Sequence, residues 1–142
     1  MSLVIDIADA VADELNAGTF SQTFIAERLY RPDFELAEMK TLHVSVVPKG
    51  LATSALSRGQ NLYDVSIDVA LQKKLAAEDE AEIDPLVALV EELADFFRLR
   101  RLTAAPSAVW LKTENVPVYA MEHLEQKKLF TSVLTFTFRV GR

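Results

Sequence analysis

The feature that most constrains this chain is a two-residue alternation that recurs in well-separated places. Tyr63, Val65, Ile67, Val69 and Leu71 alternate with Asp64, Ser66, Asp68, Ala70 and Gln72. Near the end, Leu134, Phe136, Phe138 and Val140 alternate with Thr135, Thr137 and Arg139 inside an extended run from Leu129 to Val140. Successive side chains of a strand point to opposite faces, so each run predicts a strand buried on one face and wet on the other. Thr41 to Val47 repeats the pattern, with Leu42, Val44 and Val46 inward and His43 and Ser45 outward. Thr23 to Tyr30 alternates with apolar residues on both sides, and Ala108 to Thr113 and Val116 to Met121 read as shorter strands, the last interrupted by Pro117.

Two segments follow the helical period instead. Leu3 to Ala17 places Val4, Ala8, Val11 and Leu15 on one face and Asp6, Asp9, Asp13 and Glu14 off it, with Ser2 as N-cap and Gly18 as stop. Leu86, Leu89, Val90, Leu93 and Phe97 mark a second helix, entered through Asp84-Pro85 and ending near Arg101 with Arg98, Arg100 and Arg101 in its last turn. Asp33 to Lys40 reads as a connection with a short turn of helix, and Lys49 to Gln60 as a flexible loop. Strands arrive in runs between two helices. The expected fold class is therefore α+β: an antiparallel or mixed sheet of about four to six strands with two main helices packed on one face. At 142 residues the chain makes a single domain.

Composition closes off much chemistry. With no cysteine there is no disulfide, thiolate metal site or cysteine nucleophile, and a reducing compartment is the natural home. Fifteen basic residues against 21 acidic ones give a net charge of −6, which repels phosphate backbones on average. No apolar run reaches the roughly 18 residues of a membrane span, and no basic segment precedes the first apolar residues as in a secretory signal. The sequence carries no glycine-rich phosphate cradle, no nucleophile elbow and no calcium-loop spacing among the acids Glu78 to Asp84. The two histidines, His43 and His123, lack metal-ligand spacing and read as surface residues. Asp64 and Asp68 share a wet strand face rather than a pocket. The expectation is no metal, no cofactor and no enzyme.

The order of elements nevertheless has a likeness. An amphipathic helix, a strand ending Val46-Val47-Pro48, a loose segment holding Arg58, the strand Tyr63 to Val69, the helix Leu86 to Leu93 and a closing Phe130-Thr131-Ser132-Val133-Leu134-Thr135-Phe136-Thr137-Phe138-Arg139 span nearly the whole chain. In this it resembles the small tail-terminator, tail-completion and neck (head–tail joining) proteins of long-tailed bacteriophages and prophages. The resemblance implies a structural subunit forming a ring, usually a hexamer, at the head-proximal end of the tail, which stops tube growth and joins tail to head. Its partners would be itself, the tail-tube protein and the head connector or neck proteins. It would bind no membrane, and DNA only in passage through the ring. It would act in the virion, after assembly in the host cytoplasm.

Under that reading Lys49, Ser54, Ser57 and Arg58 of the loop are candidate contacts. The acids Glu80 and Glu82 are expected to face Arg98, Arg100 and Arg101 of a neighbour. Two other classes remain open: a non-viral bacterial α+β adaptor or dimerisation module, and a small enzyme of unrecognised class.

Overall fold

A computed structural model describes residues 2–31, 41–76 and 80–142. The chain runs α1 (Leu3–Ala17), β1 (Ala26–Arg28), β2 (His43–Ser57), β3 (Gln60–Lys74), α2 (Glu80–Phe97), β4 (Val109–Glu114), α3 (Met121–Lys127) and β5 (Leu129–Gly141). The strands form one mixed sheet in the order β1-β2-β3-β5-β4, parallel only between β1 and β2. The fold is α+β, as the alternation and helical spacing predict.

α1 keeps its expected limits because both ends are capped. The Ser2 hydroxyl accepts from the Ile5 amide at 3.3 Å, and the Gly18 amide donates to the carbonyls of Glu14 and Leu15. A Cβ at Gly18 would stand 2.9 Å from the Phe20 ring and 3.1 Å from the Phe96 ring, so any larger residue there would push the Phe20 ring aside. α2 begins a turn earlier than Asp84-Pro85 suggests, at Glu80, and Glu82 reaches back to accept from the Ala76 amide at 2.7 Å. It also ends earlier, at Phe97. Leu99 turns to φ 58°, so the three arginines lie in the turn beyond the helix and not in its last turn.

The helices cover one face of the sheet. Ile7, Val11 and Leu15 of α1 and Leu86, Leu89, Leu93 and Phe97 of α2 join Val44, Val46, Val65, Ile67, Val69, Leu71, Leu134, Phe136 and Phe138 in one core. Phe97 sits at its centre, with ring centroids 4.6 Å from Phe136 and 6.4 Å from Phe138. From it a chain of rings runs through Phe96 and Phe20 to Phe24.

Three expectations are corrected and one falls outside the described residues. The strand expected over Thr23 to Tyr30 shortens to the three residues of β1, because its two faces offer no contrast to bury. Residues 116–120 are not a strand; the Val116-Pro117 bond is cis, and the helix α3, with no apolar period long enough to announce it, follows. The expected connection over 33–40 lies outside the described residues, as do 77–79 of the acidic run. Glu14, expected outside, is buried, and its carboxylate accepts from the Thr103 amide at 2.5 Å and pairs with Arg100 at 3.2 Å.

Burial alone would raise the Glu14 carboxyl. The Thr103 hydrogen bonds, and then the Arg100 guanidinium, outweigh it and hold the pKa below the ordinary 4.5. A depressed carboxylate stabilises the fold above its unfolded pKa and loses that contribution as pH falls through the folded value. Glu14→Gln is therefore expected to lower stability by about 1–3 kcal/mol at pH 7. In urea unfolding the gap to the parent should begin to narrow as pH falls past about 4.5 and close once pH drops through the lower folded value, where the parent's own carboxylate protonates.

Candidate functional site

The segment expected as a loop from Lys49 to Gln60 is instead the outer part of a long β-hairpin. β2 runs unbroken to Ser57, turns through Arg58 and Gly59, and returns as β3 from Gln60. Cross-strand pairs continue through Leu51↔Val65, Thr53↔Tyr63 and Ala55↔Asn61. Every residue from Leu51 to Asn61 is exposed, on both faces of the hairpin, because neither helix reaches this end of the sheet. Between Gly50 and Arg58 no side chain is charged: the run is Leu51-Ala52-Thr53-Ser54-Ala55-Leu56-Ser57. Leu51 and Leu56 are 51% and 55% exposed.

Edge strands of soluble proteins are normally blunted with lysine, proline or inward charges, since an open row of amides and carbonyls is a template for another chain. Here the defences stop at Pro48 and Lys49. A bulge at Lys49 separates this open part of β2 from the part covered by β1, which pairs only with Val44 to Val46. The last described backbone bond on this edge is from the Leu29 amide to the Val46 carbonyl.

The direction of the backbone groups follows from one pair of bonds. Asn61 and Arg142 exchange both their amide and carbonyl groups, each at 2.9 Å. Asn61 therefore faces β5, and its partner Ala55 must turn its own amide and carbonyl the other way. With no register shift between Gly50 and Ala55, Thr53 and Leu51 do the same. Their groups have no backbone partner among the described residues.

The far edge repeats the situation. β4 pairs with β5 alone, with a bulge at Leu111. Arg142 faces β3, so by alternation Phe138 and Phe136 do too, and their partners Trp110 and Thr113 turn amide and carbonyl outward. Around this edge stand Val109, 53% exposed, and Val116, 91% exposed.

The sheet face away from the helices carries a charged row. Arg139 donates to both oxygens of Asp64, at 2.8 and 3.1 Å, and that hydrogen bond, with Lys112 nearby, holds the Asp64 carboxyl below its usual range. Thr135 donates to Asp68 at 2.6 Å, Lys49 stands 3.9 Å from the same oxygen, and Lys112 pairs with Glu114 at 2.9 Å. Lys49, Asp68, Glu114, Val116, Val133 and Thr135 line a shallow depression there. Further down the face, His43 pairs across β2–β3 with Gln72, Gln72 across β3–β5 with Thr131, and His123 Nδ1 lies 2.9 Å from Thr131 Oγ1. Gln72 is fully buried, and its side-chain amide has no hydrogen-bond partner among the described residues. No spacing in the sequence brings the two histidines to one end of the face; only the register does. Among the described residues no group of three His, Asp or Glu side chains is placed to hold a metal ion, and no helix is long and apolar enough to cross a membrane.

The candidate residues separate accordingly. Ser54, Ser57 and Arg58 lie on the exposed hairpin and Lys49 at its base. Glu80 and Glu82 lie in the first turn of α2, with Glu82 bonded to the Ala76 amide. Arg98 and Arg101 are exposed beyond that helix. Arg100 is engaged within its own chain: its guanidinium lies 3.7 Å over the Phe96 ring while pairing with Glu14. Among the described residues no hydrogen bond or ion pair joins Lys49 or Arg58 to these arginines. Compared with known proteins, the chain matches no protein-family model and no curated protein sequence.

Among the described residues the arm from Leu51 to Ser57 pairs only with β3 and its side chains are exposed, so Leu51→Ser and Leu56→Ser should each shift the unfolding free energy of dilute protein by no more than about 0.5 kcal/mol. Chemical denaturation at low protein concentration measures this, and a loss of core size would place the arm against the body.

Proposed function

We propose that the chain is a structural assembly subunit, forming a ring of identical copies at the head-proximal end of a bacteriophage or prophage tail, where it stops tube growth and joins tail to head. The supporting observation is the hairpin arm from Leu51 to Ser57, uncharged, exposed on both faces and open along its outer edge. At this end β2, β3 and the last residues of β5 run on as a three-stranded sheet whose outer strand carries uncharged, exposed side chains; a sheet extended past its own core is explained best by a second surface that covers it. Among the described residues the sheet is open along β4 and along β2 beyond Val46, and different edges suit a head-to-tail contact, which gives a closed ring when the rotation closes. The sequence resemblance supplies the tail and neck setting and the expected hexamer.

An adaptor or dimerisation module is the second reading. It is favoured by the same arm, because Leu51, Thr53 and Ala55 can also pair with their own copies about a two-fold axis.

Native mass measured across a wide concentration range, with negative-stain images of the same samples, tests the proposal. A species of six times the 15.8-kDa chain, seen as a ring with a central hole, is the expected result. A stable dimer at every concentration overturns the ring and selects the adaptor. A monomer that purified tail tubes fail to recruit to their ends overturns both.

A further inference from the structure

We infer that copies of this chain join edge to edge, the outer edge of β2 from Leu51 to Ala55 pairing antiparallel with β4 of the next copy, so that one antiparallel sheet runs on through the assembly. The inference rests on the self-assembly reading above and names its interface.

Three independent features of the two edges fit each other. The first is polarity. β2 is antiparallel to β3, β3 to β5 and β5 to β4, so β2 and β4 run in opposite directions at the two sides of the molecule. Translation of a copy beside another thus brings opposite directions together without turning it over.

The second is parity. Directly opposed residues of an antiparallel pair share a face, and a pair is hydrogen-bonded only where both residues aim their groups at each other. The outward residues of β2 are Leu51, Thr53 and Ala55, on the face shared with Val65; those of β4 are Trp110 and Thr113, on the face shared with Phe138 and Phe136. Both sets lie on the helix-covered face. A one-residue mismatch would send the apolar face of one copy to the wet face of the next; none arises here.

The third is side-chain character. The stretch Leu51 to Ser57 brings no charge to be buried. The charges of β4, Lys112 and Glu114, are on the opposite face, where Lys49 of β2 also stands beside Asp68. β1 blocks β2 up to Val46 and fixes the lower limit of the pairing.

The absence of native cysteine makes the test direct. Ser54→Cys and Lys112→Cys are prepared as separate full-length variants, both at exposed positions, and treated with a short bis-maleimide alone and mixed. Covalent dimer in the mixture and in neither variant alone is expected, and the double variant should give a ladder of covalent oligomers. Ser54→Cys linking to itself overturns the proposal in favour of a two-fold contact between β2 edges. No linkage in samples whose native mass shows oligomers overturns the edge pairing and leaves self-assembly standing, whereas no linkage with monomer at every concentration removes both.

A backbone variant checks the same claim without a cross-linker. Thr53→Pro deletes an amide that faces away from β3, while Thr53→Ala keeps it. The proline is expected to weaken association about tenfold or more, the equivalent of one lost hydrogen bond per contact. The alanine should associate like the parent, and both should keep the parent's circular dichroism. Equal association of the proline variant and the parent would count against strand pairing.

Discussion

The structure depends on β3 being paired along both edges. From Leu62 to Lys74 it pairs with β5, and over nearly the same length it meets β2. Between Leu62 and Gln72 this strand has a neighbour on each side, and its inward side chains Val65, Ile67, Val69 and Leu71 are fully buried under the helices. A saturated centre pushes unsatisfied groups outward, to β2 on one side and β4 on the other. The helices cannot cover them, since α1 and α2 follow the core, whose last inward residues at this end are Val65 of β3 and Val140 of β5. What is left open is thus set by where the core stops.

The polar side of the sheet has a different logic. Its carboxylates are answered one by one: Asp64 by Arg139, Asp68 by Thr135 and Lys49, Glu114 by Lys112. Exposed pairs of this kind contribute little stability. They keep a half-buried face neutral and wet. The contrast with the arm is informative, because the arm has no charges to answer and no water-seeking side chains beyond hydroxyls.

Sequence reasoning reached what is governed by face contrast. α1 is legible to the residue because Ser2, Gly18 and a helical stripe agree, and β3 and β5 are legible because one side of each is wet. The hairpin arm is not legible for the same reason inverted: with both faces exposed, Leu51 to Leu56 shows no alternation and reads as loop. The role of Arg100 is hidden by distance, since Glu14 lies 86 positions away and only the packing of α1 beside the end of α2 joins them. α3 is hidden by length, and the convergence of His43 and His123 by register.

β1 looks negligible, three residues lying parallel beside β2 and ending where Leu29 meets Val46. Its shortness has a geometric effect. A longer first strand would seal the edge of the sheet, and none at all would leave an incoming strand free to slide by two residues at a time with no loss of hydrogen bonds. A strand that stops at Val46 does neither: it acts as a doorstop, leaving the edge accessible while setting where along β2 contact can begin. Precision of fit in such an arrangement comes from the end of one short strand and not from any specific side-chain recognition.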